Sequence, residues 1–303
     1  MTQLALVMNP AKVDDPDSLT AALTERLAAA GWPKPLVAET TEDDPGRGMA
    51  EKAMRDGAQV VLAAGGDGTV AAVVSALVGT GVALAVLPSG TGNLLARNLD
   101  MPTDLDAVMS TILDGTTWTM DVGEVLEGPG AGGCFAVMAG LGFDAAVVGD
   151  APQGLKAGVG WPAYVVSALG HLTDEPFQCT ITLDGGEPLE RTARTVLVAN
   201  TAGLQGGLDL APDAGVTDGQ LDVIVVSPQS AMDWLRIGAR LVSGSDREDE
   251  RLERFQALRV EITTDSEQVC QLDGDAIGPT RRLVAEVRPQ ALTLCGGRAP
   301  SGD

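Results

Sequence analysis

The sequence predicts an α/β amino-terminal domain with a parallel sheet, followed by a larger, mostly antiparallel carboxy-terminal domain of the β-sandwich or barrel-like type. The first third of the chain alternates short apolar runs with amphipathic segments, which is typical of a parallel sheet covered by helices. After Trp118 many strand-like runs follow one another closely, which is typical of antiparallel sandwiches and barrels. The 303 residues, 45% of them apolar, are enough for two domains that each bury a core.

The amino-terminal region contains the elements of an alternating α/β domain. Its predicted strands are LALVMNP, PLVAET, QVVLAAGG and VALAVLP. Its predicted helices cover Leu19 to Ala30, the surroundings of Met49 to Met54, the run TVAAVVSALVG and Leu105 to Asp114. The pattern changes near Asp121, so we predict that the first domain comprises residues 1–121, completed by 290–303 if the final strand returns to it.

The remaining residues, 122–289, form the predicted β-rich domain. Its predicted strands are TWTMDVGEVL, CFAVMAG, QCTITLDG, RTARTVLVAN, QLDVIVV, LRVEITT, EQVCQLDG and RRLVAEVRP. Two helical segments, near 158–172 and 231–242, interrupt them. No internal repeat of the kind that builds solenoids or propellers is present.

The charge of the chain argues against one class of partner. With 42 acidic and 20 basic residues, the formal charge is −22. Such a charge repels phosphate backbones, so we expect no nucleic-acid partner. It also opposes adsorption to an anionic membrane, and any contact with lipid therefore needs an apolar patch or a local basic cluster.

Cysteine and histidine usage excludes several kinds of site. Cys134, Cys179, Cys270 and Cys295 lack the paired spacing of metal ligands and the density of a disulfide scaffold, so we expect reduced core residues. The single histidine, His171, leaves little basis for a histidine triad or a multi-histidine metal site. No apolar run approaches a membrane-spanning length, and the amino terminus does not resemble a signal peptide. We therefore expect a cytoplasmic location.

A glycine-rich turn, GGDGT, joins the strand QVVLAA to the helix that follows it. It consists of Gly65, Gly66, Asp67, Gly68 and Thr69. A turn of this kind exposes backbone N–H groups to a phosphate, and the helix amino terminus adds partial positive charge. It is neither a Walker loop nor the dinucleotide fingerprint. The alternative is an ordinary tight turn.

A second turn, PSGTGN, follows the strand VALAVLP and opens another helix. Two such turns at the carboxyl ends of strands in one parallel sheet define a crevice of the kind where ligands bind. Ser89, Thr91 and Asn93 supply hydroxyl and amide groups suited to phosphate or ribose oxygens. Helix capping is the alternative role for these side chains.

With GGDGT followed by PSGTGN, the chain resembles the diacylglycerol kinase catalytic family, which includes bacterial lipid kinases and is related to sphingosine and ceramide kinases and to NAD kinases. The resemblance extends over nearly the whole chain. Further matches are Asn9 with Pro10, Thr40 or Thr41 ahead of Gly46, GLGFDA from Gly140 to Ala145, APDAGVTDGQLDV from Ala211 to Val223, and LDGD from Leu272 to Asp275. Single elements are weak, whereas the combination is highly specific.

The resemblance implies an NAD kinase/diacylglycerol kinase-like fold, ATP as the phosphoryl donor, and Mg²⁺. The nucleotide-binding positions that it implies are Asn9, Thr41, Gly65, Gly66, Asp67, Gly68, Thr69, Ser89, Gly90, Thr91 and Asn93. Asp273 matches the general base for the lipid hydroxyl, and Asp67 is the second catalytic candidate. A structural metal site is implied at Asp218, with carbonyl groups from Gly215 and Gln220. On spacing alone, Asp273 and Asp218 also suit plain turns.

Two departures from the family pattern affect placement of the nucleotide or metal. Asn and Glu often follow GGDGT in the family, but here the helix continues with the apolar run from Val70 to Val73. The acidic residue after Asp273 and Gly274 is commonly Glu, whereas Asp275 is one methylene shorter.

We therefore expect an ATP-dependent lipid kinase that converts diacylglycerol to phosphatidic acid, or phosphorylates a sphingoid-type lipid, during transient contact with the inner membrane surface. The segment from Gly154 to Leu172, with Trp161 and Tyr164, is a candidate for lipid entry, although a helix packed on the sheet explains its periodicity equally well. An NAD kinase-like enzyme and a catalytically idle nucleotide or lipid binder are the alternatives. The oligomeric state stays open, a homodimer included.

Overall fold

The computed structural model describes residues 2–142, 176–204, 208–209, 214–228, 230, 232–233 and 251–297. The chain divides into two compact units, which are considered separately below. The first unit comprises Met1–Val122 and Pro289–Asp303, and the second comprises Gly123–Arg288. The candidate lipid-entry segment, the helix predicted near 158–172 and most of the helix predicted near 231–242 lie outside the described residues.

The first unit is an α/β structure, as predicted. Its strands are β1 (Leu4–Met8), β2 (Leu36–Glu39), β3 (Val60–Gly65) and β4 (Ala83–Pro88). Its helices are α1 (Pro16–Ala29), α2 (Arg47–Arg55), α3 (Asp67–Leu77), α4 (Leu94–Asn98) and α5 (Leu105–Asp114). Within the described part of the chain, no helix is long and apolar enough to cross a membrane.

The strands of the first unit form a parallel sheet in the order β2-β1-β3-β4. A fifth parallel strand beside β4 comes from the end of the chain, where Thr293 pairs with Ala83 and Leu294 with Leu84. Strands β1 and β3 are buried along their whole length, which is expected for parallel strands covered by helices on both faces. The carboxyl ends of the four strands therefore meet along one edge of the sheet.

Local capping fixes two of the helices. Helix α1 begins three residues before its predicted start because the Asp15 carboxylate accepts from the N–H of Ser18 and Pro16 occupies the first turn. Helix α5 has the bounds expected from the sequence, with Asp104 as its amino-terminal cap and Gly115 in the left-handed region at its end, at φ 68°.

The second unit is built mostly of antiparallel strands, which confirms the predicted β-rich architecture. Strand β5 (Thr117–Glu127) enters it and β16 (Asp275–Cys295) leaves it. The others are β6 (Cys134–Phe135), β7 (Met138–Leu141), β8 (Phe177–Leu183), β9 (Leu189–Ala193), β10 (Thr195–Ala199), β11 (Gly203–Leu204), β12 (Leu208–Asp209), β13 (Leu221–Val226), β14 (Leu252–Ala257) and β15 (Arg259–Leu272).

Strand β15 is the central strand of this unit because it has partners on both sides and along its length. The main order is β14-β13-β10-β7-β15-β16, with the hairpin β8-β9 also on β15. β15 pairs with β8 through Val260 to Thr264 and with β7 through Cys270 to Leu272. In the pairing of β15 with β16, the register shifts between Thr263 and Gln268, which interrupts the regular ladder.

Phe135 anchors the core of the second unit. Its side chain is fully buried among residues such as Val125, Ile181 and Val260. The ring lies directly over Gly123, where an added Cβ would meet the ring carbon Cζ at 1.9 Å. Glycine is therefore required at this point of β5 for steric reasons.

Gly123→Ala should destabilise the protein by about 1–3 kcal/mol, because the buried Phe135 ring has to leave its rotamer or push its neighbours aside. Chemical denaturation followed by circular dichroism measures the loss. The double variant Gly123→Ala/Phe135→Leu removes the clashing ring atoms and should regain part of the stability. A Gly123→Ala variant as stable as the original would contradict this description of the contact.

Candidate functional site

The GGDGT turn lies between β3 and α3. Gly66 is the amino-terminal cap residue of α3, and no described side chain caps this helix end. The side chain of Thr69, which is 4% exposed, packs back on Gly65, where an added Cβ would meet Thr69 Cβ and Oγ1 at 2.7 Å. The start of α3 therefore has no side-chain cap among the described residues, while the Thr69 side chain is part of the packing.

The PSGTGN turn is closed by its own asparagine. Asn93 adopts the left-handed conformation at φ 51°, and its side chain bonds both backbone groups of Gly90. Asn93 Oδ1 accepts from the Gly90 N–H at 3.0 Å, and Nδ2 donates to the Gly90 carbonyl at 2.8 Å. Asparagine tolerates this backbone region better than most residues. The Asn93 amide is thus committed to the turn.

Asp67 joins the two glycine-rich turns. Its Oδ2 accepts from the Asn93 N–H at 2.8 Å, and its Oδ1 accepts from the Leu94 N–H at 2.5 Å. Asp67 thereby satisfies the first N–H groups of α4, although the two segments are separated by 26 residues in sequence. The Ser89 N–H adds a second link by donating to the Gly65 carbonyl at 2.9 Å.

The backbones of the turns are close enough that Gly90 admits no side chain. A Cβ on Gly90 would lie 2.6 Å from the Cα of Gly66. In the reverse direction, a Cβ on Gly66 would meet the Gly90 Cα at 3.6 Å, an ordinary contact. The close approach of the two turns therefore excludes a side chain at Gly90 but not at Gly66.

The hydroxyl groups of the second turn are arranged differently from each other. Ser89 Oγ donates to the Leu87 carbonyl at 3.3 Å, whereas Thr91 is exposed. The Thr91 carbonyl accepts from the Arg97 guanidinium at 3.2 Å, so Arg97 supports the turn from the following helix. Of the polar residues predicted in this turn, Thr91 has the side chain most available to a ligand.

Asn9 and Thr41 lie at the same edge of the parallel sheet as the two turns. Asn9 directly follows β1, its N–H donates to the Ala64 carbonyl at 2.9 Å, and its Oδ1 accepts from the Ala11 N–H at 3.0 Å. Thr41 follows β2, and its hydroxyl accepts from the Asp44 N–H at 3.1 Å. The structure thus brings the predicted nucleotide-binding residues together on four adjacent strand ends of the first unit.

Asp273 lies in the turn between β15 and β16 of the second unit. It is 6% exposed and adopts the left-handed conformation at φ 47°. Its carboxylate accepts three backbone N–H groups: Oδ2 from Ala136 at 2.9 Å, and Oδ1 from Val137 at 2.8 Å and from Met138 at 2.9 Å. Asp273 therefore holds a buried backbone segment in place, in addition to any chemical role.

The predicted structural metal site consists of residues that bond one another. Asp218 Oδ1 accepts from the Gln220 N–H at 2.9 Å and Oδ2 from the Gly215 N–H at 3.3 Å. The Gly215 carbonyl, a predicted ligand, accepts from the Asp218 N–H at 3.4 Å. No group of three or more His, Cys, Asp or Glu side chains among the described residues could hold a metal ion. The structure thus places the three predicted ligand residues in one turn, and the metal site stays a prediction.

Three of the four cysteines are core residues, as expected. Cys179, Cys270 and Cys295 are buried, whereas Cys134 is half-buried. Burial raises the pKa of Cys270 and of Cys295 to about 11, and burial is also the main reason that the pKa of Cys179 rises to about 11. Thiols with such pKa values stay protonated at neutral pH, which makes them poor nucleophiles.

Sequence reasoning missed one residue that contacts the same backbone as Asp273. Asn200 follows β10, is 1% exposed, and donates from its side chain to the Ala136 carbonyl at 2.9 Å. A polar residue ending the apolar run TVLVA was the available signal, but the run was interpreted only as a strand.

Comparison with family models covers both units. Residues 3–125 match the diacylglycerol kinase catalytic domain, and residues 136–296 match the YegS C-terminal NAD kinase beta sandwich-like domain. The chain belongs to the diacylglycerol kinase and YegS lipid kinase family. Membership makes it a lipid kinase and confirms the resemblance drawn from the two turns.

Relatives from three bacteria match most of this chain, and two of them are named as kinases. A YegS-like lipid kinase of Pseudomonas aeruginosa is 32% identical over 263 residues, covering 84% of this chain and 82% of that protein. A diacylglycerol kinase of Mycobacterium tuberculosis is 29% identical over 250 residues, covering 82% and 80%. A Synechocystis protein is 31% identical over 254 residues, or 80% of this chain, but the match spans only 56% of that longer relative.

Solved structures agree on the fold. A diacylglycerol kinase of Bacillus anthracis superposes with a TM-score of 0.73 at 22% identity, covering 98% of this chain and 97% of that one. An NAD kinase of Archaeoglobus fulgidus, solved in complex with ATP, has a TM-score of 0.56 at 10% identity, with 98% and 94% covered. The predicted NAD kinase/diacylglycerol kinase-like fold is thereby confirmed.

Gly90→Ala should lower the free energy of unfolding by about 1–3 kcal/mol, since the new methyl group collides with the backbone of the first turn. Gly66→Ala is the matched control because it probes the same contact from the open side. We expect Gly66→Ala to cost less than about 1 kcal/mol, the small penalty of alanine at a helix cap. Urea denaturation of both variants checks the asymmetry, and equal losses would contradict it.

Asp273→Asn should also destabilise the protein, by about 1–3 kcal/mol, because an amide NH₂ would face a backbone N–H that the carboxylate now accepts. The variant is therefore not a silent replacement for testing catalysis. Glu267→Gln, which neutralises an exposed carboxylate on β15, should stay within about 0.5 kcal/mol of the original protein. Thermal unfolding measures the unfolding temperature of both variants. Equal unfolding temperatures would contradict the structural role described for Asp273.

Proposed function

We propose that this lipid kinase transfers the γ-phosphoryl group of ATP to the hydroxyl of diacylglycerol, yielding phosphatidic acid. The observation that carries the proposal is the pair of glycine-rich turns that Asp67 ties together at the carboxyl ends of β3 and β4. Membership of the family supports the lipid as acceptor, and the turns support a triphosphate as donor.

The turns suit a triphosphate for electrostatic reasons. The amino terminus of α3 has partial positive charge, and its N–H groups point out of a turn made largely of glycine. Because glycine has no side chain, phosphate oxygens can approach the backbone closely. The exposed Thr91 hydroxyl and the strand-end residues Asn9 and Thr41 are further polar groups for the nucleotide.

Asp67 and Asp273 have different roles in this proposal. Asp67 fixes the second turn relative to the first and so sets where the phosphates lie. Asp273 takes the proton of the lipid hydroxyl while the lipid oxygen forms its bond to the γ-phosphorus and the bond from that phosphorus to the ADP oxygen breaks. Catalysis then depends on positioning and electrostatics, without a covalent enzyme intermediate. Magnesium enters with the substrate as MgATP.

The acceptor lies in a membrane, so the reaction requires a transient encounter with a lipid surface. A formal charge of −22 opposes strong adsorption to anionic lipid, and we infer a short-lived contact. A sphingoid base is the second lipid candidate, because it presents a similar primary hydroxyl group beside aliphatic chains.

Phosphorylation of a soluble acceptor is the competing function. It is favoured by the fold shared with NAD kinase, whose acceptor is a soluble dinucleotide. The chemistry at phosphorus is the same in both cases, so acceptor choice has to be measured directly.

Incubation with labelled ATP, Mg²⁺ and mixed micelles should give labelled lipid with diacylglycerol and little with NAD. Separate reactions contain diacylglycerol, a sphingoid base, or NAD without micelles, and thin-layer chromatography resolves the products. Gly90→Ala should reduce the rate about tenfold or more, since it displaces the phosphate-binding turn.

If only the sphingoid base becomes labelled, the protein is a lipid kinase whose acceptor is the sphingoid base in place of diacylglycerol. Label in NAD alone would overturn the lipid proposal in favour of the soluble acceptor. Retained ATP binding without any transfer, measured by calorimetry, would favour an idle nucleotide-binding protein.

A further inference from the structure

A buried bend connects β6 to β7 in the second unit. Ala136 and Val137 form it and are 1% and 2% exposed. Buried peptide groups outside a regular strand require hydrogen-bond partners, because leaving them without any costs free energy. These partners come from two distant parts of the chain, at Asn200 and Asp273.

Asn200 donates to both carbonyl groups of the bend. Its side-chain Nδ2 donates to the Ala136 carbonyl at 2.9 Å, and its backbone N–H donates to the Val137 carbonyl at 2.8 Å. Both donors belong to one residue that is itself 1% exposed. The carbonyl side of the bend is therefore held by Asn200.

Asp273 accepts on the opposite side of the same two peptide groups. The Ala136 carbonyl shares its peptide group with the Val137 N–H, and the Val137 carbonyl shares its peptide group with the Met138 N–H. Both of these N–H groups donate to Oδ1 of Asp273, at 2.8 and 2.9 Å. Two parallel chains of hydrogen bonds thus run from Asn200, each through one peptide group, to a single carboxylate oxygen.

We propose that Asn200 is a positioning residue for Asp273 and acts through these two peptide groups. A hydrogen bond to a carbonyl polarises the peptide group and strengthens its N–H as a donor. The two hydrogen bonds on either side of each peptide group therefore stabilise the site more together than they would separately. Asn200 also fixes the bend in space, and the bend fixes Oδ1. The inference rests on the proposed function, since positioning matters only if Asp273 takes part in phosphoryl transfer.

The arrangement distinguishes the two amides. Replacing the Asn200 side chain removes the bond to the Ala136 carbonyl but leaves the backbone N–H of residue 200 bonded to the Val137 carbonyl. The Val137 amide should therefore weaken, whereas the Met138 amide should change little. General loosening of the unit would affect both amides alike.

The test compares three variants by amide hydrogen exchange and by kinetics of lipid phosphorylation. Asn200→Ala removes the donor, and Asn200→Leu removes it while filling a similar volume, so that a cavity cannot explain an effect shared by both variants. Thr201→Val is the matched control, because the buried Thr201 hydroxyl has no hydrogen-bond partner within the described part of the chain.

In both Asn200 variants, protection of the Val137 amide should fall about tenfold, the worth of roughly one hydrogen bond, and protection of Met138 should fall much less. The value of kcat for lipid phosphorylation should fall about tenfold or more in both variants. The KM for ATP should stay unchanged, because Asn200 and Asp273 both lie outside the glycine-rich turns. Thr201→Val should match the original protein in both measurements.

The inference would be overturned if the Val137 and Met138 amides lost protection from exchange equally. It would also be overturned if only the Val137 amide lost protection and kcat stayed unchanged. If the original protein phosphorylates no lipid, the proposed function fails. The exchange measurement then still decides whether Asn200 holds Asp273 through the Ala136–Val137 peptide group.

Discussion

The candidate site of the first unit depends on one carboxylate bonded to two backbone amides. Asp67 begins α3 and accepts from Asn93 and Leu94 at the start of α4. Since these amides have no partner within α4, a short helix would otherwise begin with unsatisfied donors beside a buried strand end. The same contact brings the Gly66 and Gly90 backbones together. The predicted nucleotide-binding turns are thereby linked by an interaction that also stabilises the fold.

The second unit uses the same device at Asp273. Both aspartates were expected to serve chemistry, and both also accept backbone N–H groups from distant segments. Such bonds hold a carboxylate in one rotamer and exclude water from one side of it, which is a form of preorganisation. Substituting either residue therefore changes structure and chemistry together, and a loss of activity alone does not identify a catalytic group.

Elements whose evidence is local were predictable from the sequence. The apolar runs located most of the strands, and the bounds of α5 followed from its cap and its terminal glycine. Strand β14 was missed because its sequence, LERFQA, is largely polar, and β9 and β10 were predicted as one strand. The early start of α1 was missed because periodicity does not include the capping residue Asp15. The bonds of Asp67 and Asn200 were not predictable, since each joins segments far apart in sequence and periodicity has no information on such pairing. The turn at Asp218 was located, but which groups its carboxylate contacts became clear only from the backbone.

The path of β16 sets the order in which the units become complete during synthesis. The first unit takes its fifth strand from residues near Thr293, whereas the second is one continuous stretch, Gly123–Arg288. Domains usually fold in the order in which they leave the ribosome. Here the second unit is the first to have its whole sequence available. Until the last residues emerge, the edge of β4 has unpaired amide and carbonyl groups, the kind of open strand edge on which nascent chains aggregate.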